Sequence, residues 1–339
     1  MKIRALAAGT AAALLLLAGC GGSEPEKTTG ADGKQLDKAT LTLNWYPYGE
    51  HAPFYYGKAK GIFEKHGIDL TIQAGQGSQK TVQATSAGQT DFGWADTPAL
   101  LAGVAQGQKL KSIGVFLQTT PSSVQFFSDK PIKAPADLKG KTIASTAGDA
   151  LSKTFPVFLK ANGLSEADVK LQNTDAAGKM AAVMSGQVDA LLGYATDQGP
   201  TMQAKAGKPV SYLRFADHGL THFSNGLMTS DKNLAERKDL VQRMVAASSE
   251  AWTAAKADQE GAVAAMAGAS QQLPAPEVLR EQFAKTLELL STPATQGKAP
   301  GVNDEADWRK TIEVFATAGV IQKAEQPSTY WDGAVAPKA

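Results

Sequence analysis

Between residues 40 and 120 the chain alternates two hydrophobic rhythms. Short runs rich in apolar and β-branched residues predict buried strands over 41–45, 68–73, 90–94 and 112–117. Between them, apolar positions three or four apart predict helices over 53–65, 78–87 and 97–106, the first closed by His66-Gly67. Strands separated by helices of this kind form βαβ units around a mainly parallel sheet. The rhythm resumes after Asp137-Leu-Lys-Gly-Lys with strand 142–145, helix 149–161, helix 197–206 and strand 209–214. From residue 231 onward the pattern is almost wholly helical, over 231–237, 239–257, 258–268, 275–290 and 304–317.

Two stretches repeat one another. Residues 69–91 run Asp-Leu-Thr-Ile-Gln, a helix of small residues, then Ser86-Ala-Gly88-Gln89-Thr-Asp91. Residues 168–189 run Asp-Val-Lys-Leu-Gln, another such helix, then Ser185-Gly186-Gln187-Val-Asp189. In each, glycine ends a helix and aspartate opens the next strand. A match through strand, helix and strand predicts two α/β lobes of like design. A chain that leaves lobe one, builds lobe two and returns must cross twice, and strands 124–128 and 225–230 are the expected crossings and hinge. The resulting division puts lobe one at 39–128 and 224–325, lobe two at 129–223 and a C-terminal tail at 326–339.

Composition changes upstream. Two positive charges in residues 1–4 precede an Ala- and Leu-rich run ending in Leu17-Ala18-Gly19-Cys20. These are the parts of a secretory signal, and the run is shorter than the ~20 apolar residues of a spanning helix. The site resembles the bacterial lipobox, which implies a signal peptide over 1–19 and lipidation of Cys20 after cleavage. Residues 20–38, nearly without apolar side chains, are expected to form a flexible tether to the membrane. Cys20 is the only cysteine; once acylated, it leaves no disulfide, cysteine-ligated zinc or cysteine nucleophile. Removing Lys2 and Arg4 from 34 basic residues leaves 32, against 33 acidic ones. That balance argues against a nucleic-acid partner.

Ligands of open parallel sheets bind beyond the carboxyl ends of the strands. In lobe one those loops carry Trp45, Tyr48, Glu50, His51, Ser78, Trp94, Asp96, Thr97 and Thr119, and in lobe two Thr146, Asp149, Tyr194 and Asp197. Ser78, Asp96, Thr97 and Asp149 fall where helices begin, so capping is an ordinary reading for each beside ligand binding. Seven of the twelve residues from Trp45 to Tyr56 are aromatic or His. No arginine occurs between residues 5 and 213, and these loops hold no lysine. The usual bidentate partner for carboxylate, phosphate or sulfonate is therefore missing. An acidic, aromatic site suits a planar ligand with amino groups to donate. No Gly-x-Ser-x-Gly, His-Glu-x-x-His or P-loop occurs, so neither catalytic residues nor a cofactor are expected. His218 and His222 are spaced like two helical metal ligands, but Gly219 between them reads as loop, and no metal is expected.

The segments Trp45…His51-Ala-Pro-Phe-Tyr-Tyr-Gly, Ala87-Gly-Gln-Thr-Asp-Phe-Gly…Asp96-Thr-Pro-Ala and Pro135-Ala-Asp-Leu-Lys-Gly-Lys-Thr-Ile carry a family resemblance. They resemble the solute-binding proteins of ABC importers for thiamine pyrimidine precursors, aliphatic sulfonates, taurine and nitrate, and the similarity spans residues 40–320. The resemblance implies a two-lobed periplasmic-binding-protein type II fold with a helical C-terminal region. It implies a monomer that closes on a small-molecule solute and docks on an ABC permease with its ATPase subunits. The Trp45–His51 segment is most similar to the pyrimidine-precursor branch, where acidic residues bond a stacked aminopyrimidine. Tyr194 and Asp197 resemble the tyrosine-to-acid spacing of that branch, with Asp where Glu is expected. Riboflavin-binding members look the same. The pyrimidine synthases of the superfamily carry a cysteine-rich motif missing here, so the resemblance implies a binding protein rather than an enzyme.

Overall fold

The computed structural model describes residues 27–30, 33–147, 149 and 151–337. The signal segment and Cys20 lie outside the described residues. The chain enters through β1 (Lys27–Thr29), antiparallel to β2 (Gln35–Thr42) with Lys27 opposite Asp37. The tether expected through residue 38 is thus replaced by a hairpin from Lys27 onward. Leu36, Ala39 and Leu41 are buried, and an edge already committed to pairing draws the preceding residues into the sheet.

Helix α1 (Ala52–Ala59) and helix α2 (Ile62–Lys65) replace the single expected helix. Gly61 between them holds φ at 68°, a left-handed turn that interrupts helical hydrogen bonding. Then follow β3 (Ile68–Gln73), α3 (Ser78–Ser86), β4 (Phe92–Asp96), α4 (Thr97–Ala105), β5 (Leu110–Val115) and β6 (Ser122–Phe127). The second body contains β7 (Thr142–Ser145), α5 (Leu151–Ala161), β8 (Lys170–Asn173), α6 (Ala176–Met184), β9 (Ala190–Tyr194), α7 (Gln198–Ala206) and β10 (Val210–Arg214). The chain closes with β11 (Asn225–Ser230), α8 (Asp231–Glu236), α9 (Lys238–Ala257), α10 (Gln259–Ala264), α11 (Pro276–Leu287) and α12 (Glu305–Thr317).

Two sheets result, and their orders correspond. One runs β3-β2-β4-β11-β5, with β1 added beside β2; the other runs β8-β7-β9-β6-β10. In both, the first three strands are parallel and the fourth, β11 or β6, is antiparallel to its neighbours. The repeated segments fill equivalent places, β3-α3-β4 in one lobe and β8-α6-β9 in the other. The expected crossing pair needs correction at its first member. β6 lies wholly within the second sheet, so lobe two begins before residue 122 and not at 129. The chain crosses through residues 116–121 and returns through 219–224.

Lobe one is held by α9, whose Leu240, Met244, Val245, Ala251, Trp252 and Ala255 recur at helical spacing and are buried. Trp252 stacks on Trp94 with ring centroids 5.5 Å apart, and Phe54 meets Trp94 edge-on at 5.0 Å. Such ring pairs add about 0.5–1.5 kcal/mol each beyond area burial. This packing fixes the carboxyl end of β4, which delivers Asp96 to the gap between the lobes. Among the described residues, no helix is long and apolar enough to cross a membrane.

Candidate functional site

A small cavity lies between the lobes. Asn44, Trp45, Tyr48, Gly77 and Ser78 line it from lobe one, and Asp149, Leu151, Lys179, Tyr194, Asp197 and Gln198 from lobe two. Apart from Lys179, which projects from within α6, they come from loops at strand ends and helix starts. The loop after β2 is pinned from inside: Gly75 donates its amide to Trp45 O at 3.0 Å and Gly77 donates to Asn44 O at 2.8 Å. His51 braces the same loop. Its Nδ1 accepts from the Tyr48 amide at 3.3 Å, which leaves Nε2 to donate to Asn44 Oδ1 at 2.8 Å. Burial depresses the His51 pKa to about 3, so it works as a neutral brace.

Glu50 sits fully buried behind Tyr48. Three donors converge on its carboxyl: Tyr48 OH at 2.5 Å, Trp94 Nε1 at 2.7 Å and Asn225 Nδ2 at 2.5 Å. Burial nevertheless raises its pKa to about 7, with those bonds pulling the other way. Asp96 accepts from Tyr194 OH at 2.9 Å, a bond that crosses between lobes. Burial raises it to about 7 as well. Asp197 is raised to about 7 by burial, opposed by the nearby charge of Lys179; it accepts a short bond from Gln198. Near neutral pH the cavity is therefore backed by carboxyls poised between acceptor and donor.

Lys179 reverses the expectation that the site lacks a cation. It projects from α6, buried at 1 % exposure. Its Nζ lies 3.4 Å from Asp149 Oδ2, 3.0 Å from Leu192 O and 5.2 Å from the centre of the Trp45 ring. A loop-by-loop reading passes over it because it sits on a helix face. The available signal was a single lysine sharing the small-residue face of Ala182 and Val183. Asn225 and Gln198 were missed too, although Asn225 stands opposite Asp96 where β11 pairs with β4.

Of the expected residues, Trp45, Tyr48, Ser78, Asp149, Tyr194 and Asp197 come together on the cavity wall, with Glu50, His51 and Asp96 directly behind. Four others stand elsewhere. Trp94 is fully buried in the lobe-one core and meets the site only through Glu50. Thr97 is buried at the start of α4 and tied to the return crossing, its Oγ1 donating to Ser224 O at 2.7 Å. Thr119 and Thr146 do not line the cavity. Among the described residues, no group of three or more His, Cys, Asp and Glu could hold a metal.

Two α/β lobes joined by two crossings, with a polar and aromatic cavity between them, define a periplasmic-binding-protein fold. The periplasmic aliphatic sulphonate binding protein SsuA from Escherichia coli shares it, with a TM-score of 0.66 at 18% identity, over 87% of this chain and 92% of its own. The profile of the NMT1/THI5 like family matches residues 49–262, and the chain belongs to that family. The riboflavin-binding protein RibY of Chloroflexus aurantiacus is 27% identical, covering 95% of this chain and 94% of its own. The formylaminopyrimidine-binding protein of Halalkalibacterium halodurans is 23% identical over 66% of each chain.

Proposed function

We propose that this chain is the exported, lipid-anchored solute-binding protein of an ABC importer, non-catalytic, and that its cargo is a small amine-bearing heteroaromatic compound. The observation that carries the cargo reading is the cavity wall. Trp45, Tyr48 and Tyr194 offer rings to a planar solute, and Asp149 and Asp197 offer carboxyl oxygens to its amino groups. Charge-assisted bonds of that kind contribute about 1.5–3 kcal/mol each. With ring stacking, two of them reach the ~8 kcal/mol of micromolar binding. No arginine lines the cavity, and its lysine, Lys179, is engaged by Asp149 and the Leu192 carbonyl, which disfavours sulfonate, taurine and nitrate. The formylaminopyrimidine-binding relative supports a thiamine pyrimidine precursor. Riboflavin is the second reading, supported by a relative similar along nearly the whole chain.

The test is a thermal-shift and calorimetric panel of formylaminopyrimidine, riboflavin, an alkanesulfonate, taurine and nitrate. The expected outcome is stabilisation by one of the first two, with the compound recovered chemically unchanged. Trp45→Ala and Asp197→Asn should each weaken binding at least about tenfold, the loss of one stacking or charged contact. Stabilisation by the sulfonate alone, or unchanged affinity in both variants, would remove the reading.

A further inference from the structure

Gln282, in α11, is fully buried beside the interlobe gap but does not line the cavity. Its amide faces both lobes. Oε1 accepts from the Gly49 amide of lobe one at 3.0 Å. Nε2 donates toward lobe two, to Asp197 O at 3.0 Å, Asp197 Oδ1 at 3.2 Å and Thr201 Oγ1 at 3.2 Å. We propose that Gln282 is a positioning residue that ties Asp197 and the start of α7 to lobe one.

Three features support the assignment. The helix carrying Gln282 is seated on bare backbone: a Cβ at Gly49 would stand 2.5 Å from both Gln282 Cβ and Leu279 O. The donor group is therefore aimed across the gap from a rigid seat, next to the loop that carries Tyr48 and Glu50. A primary amide also supplies an acceptor to one lobe and donors to the other from a single side chain, which neither a carboxylate nor an ammonium can do. Finally, two further cross-lobe contacts, Tyr194 to Asp96 and Lys179 to Trp45, involve residues of the cavity wall. Those contacts answer to the solute directly, whereas Gln282 touches Asp197 from behind.

The inference rests on the reading that solute is held between the lobes, and it deepens that reading by separating closure from recognition. Gln282→Glu keeps the size and the acceptor toward Gly49 but sets oxygens against the Asp197 carbonyl and carboxyl. Gln282→Met keeps the packing and removes the polar group. Hydrogen exchange over α7 is measured first in the solute-free protein. Association and dissociation rates then follow, with formylaminopyrimidine and riboflavin as probes. Both variants should exchange faster across α7 and release the bound probe about tenfold faster, the equivalent of one net hydrogen bond, with little change in association. Unchanged exchange over α7 in both variants overturns the proposal, as does unchanged release of a probe that binds. Faster exchange in a protein that binds neither probe supports the tie and removes the cargo reading instead. Should Gln282→Glu fail to fold, Gln282→Met carries the same comparison.

Discussion

Glu50, Asp96 and Asp197 titrate near 7 in the folded chain, against ordinary values of 4.5, 3.8 and 3.8. Each binds a proton more tightly folded than unfolded, so stability falls as pH rises between the two values. The urea midpoint should therefore decline from about pH 4 to about pH 7 and level off above, and Glu50→Gln should flatten part of that slope. A midpoint that rises across this window would contradict the buried carboxyls. The exposed Asp137 and the half-buried Asp168 are held below their ordinary value by bonds from nearby backbone and side-chain donors. Their effect appears only at more acid pH, whereas the buried His51 and His222, lowered to about 3 and about 4, oppose the three carboxyls below pH 6.5 and make the net decline shallower. Lys179 gives a second expectation at this scale. Lys179→Met strips a buried cation from beside Asp149 and should cost about 3 kcal/mol, read from the same urea curves. The carboxyls were legible because they follow strands at predictable loop positions. Lys179 was not, because burial of a helical lysine depends on what its face packs against.

At the scale of elements the sequence pattern reproduces most boundaries within a residue or two: strand 68–73 coincides with β3, and helix 304–317 with α12 at Glu305–Thr317. Two failures are instructive. Gly61 was read through because its neighbours keep helical spacing, yet its positive φ breaks the helix. β6 was recognised as a strand but given to the wrong sheet. All six of its residues are buried, so no alternation marks a face, and partner choice is a long-range matter that local pattern does not encode. One element contact carries a clear prediction. A Cβ at Gly75 would stand 1.8 Å from Leu43 O, so Gly75→Ala must displace the end of β2 or the loop bearing Trp45. We expect a loss of roughly 3 kcal/mol or more by thermal or urea unfolding.

For the whole molecule, the paired sheets and the two crossings through 116–121 and 219–224 predict closure as a rigid-body movement of the lobes. Small-angle scattering should show a smaller radius of gyration when a stabilising probe is added, with α9 exchange unchanged because its burial is internal to lobe one. Cys20→Ser should shift the expressed protein from the membrane fraction to the soluble one if the sulfur is lipidated as proposed. The hairpin at the chain entry then acquires a mechanical meaning. Six residues separate Cys20 from Lys27, and at about 3.5 Å per residue that leash reaches no farther than roughly 25 Å. Its fixed end is the sheet of lobe one, so on a bilayer that lobe would be moored and lobe two left to swing. Lipidation at Cys20 would confine the molecule to so thin a shell and raise the local concentration at a membrane partner without a single added contact.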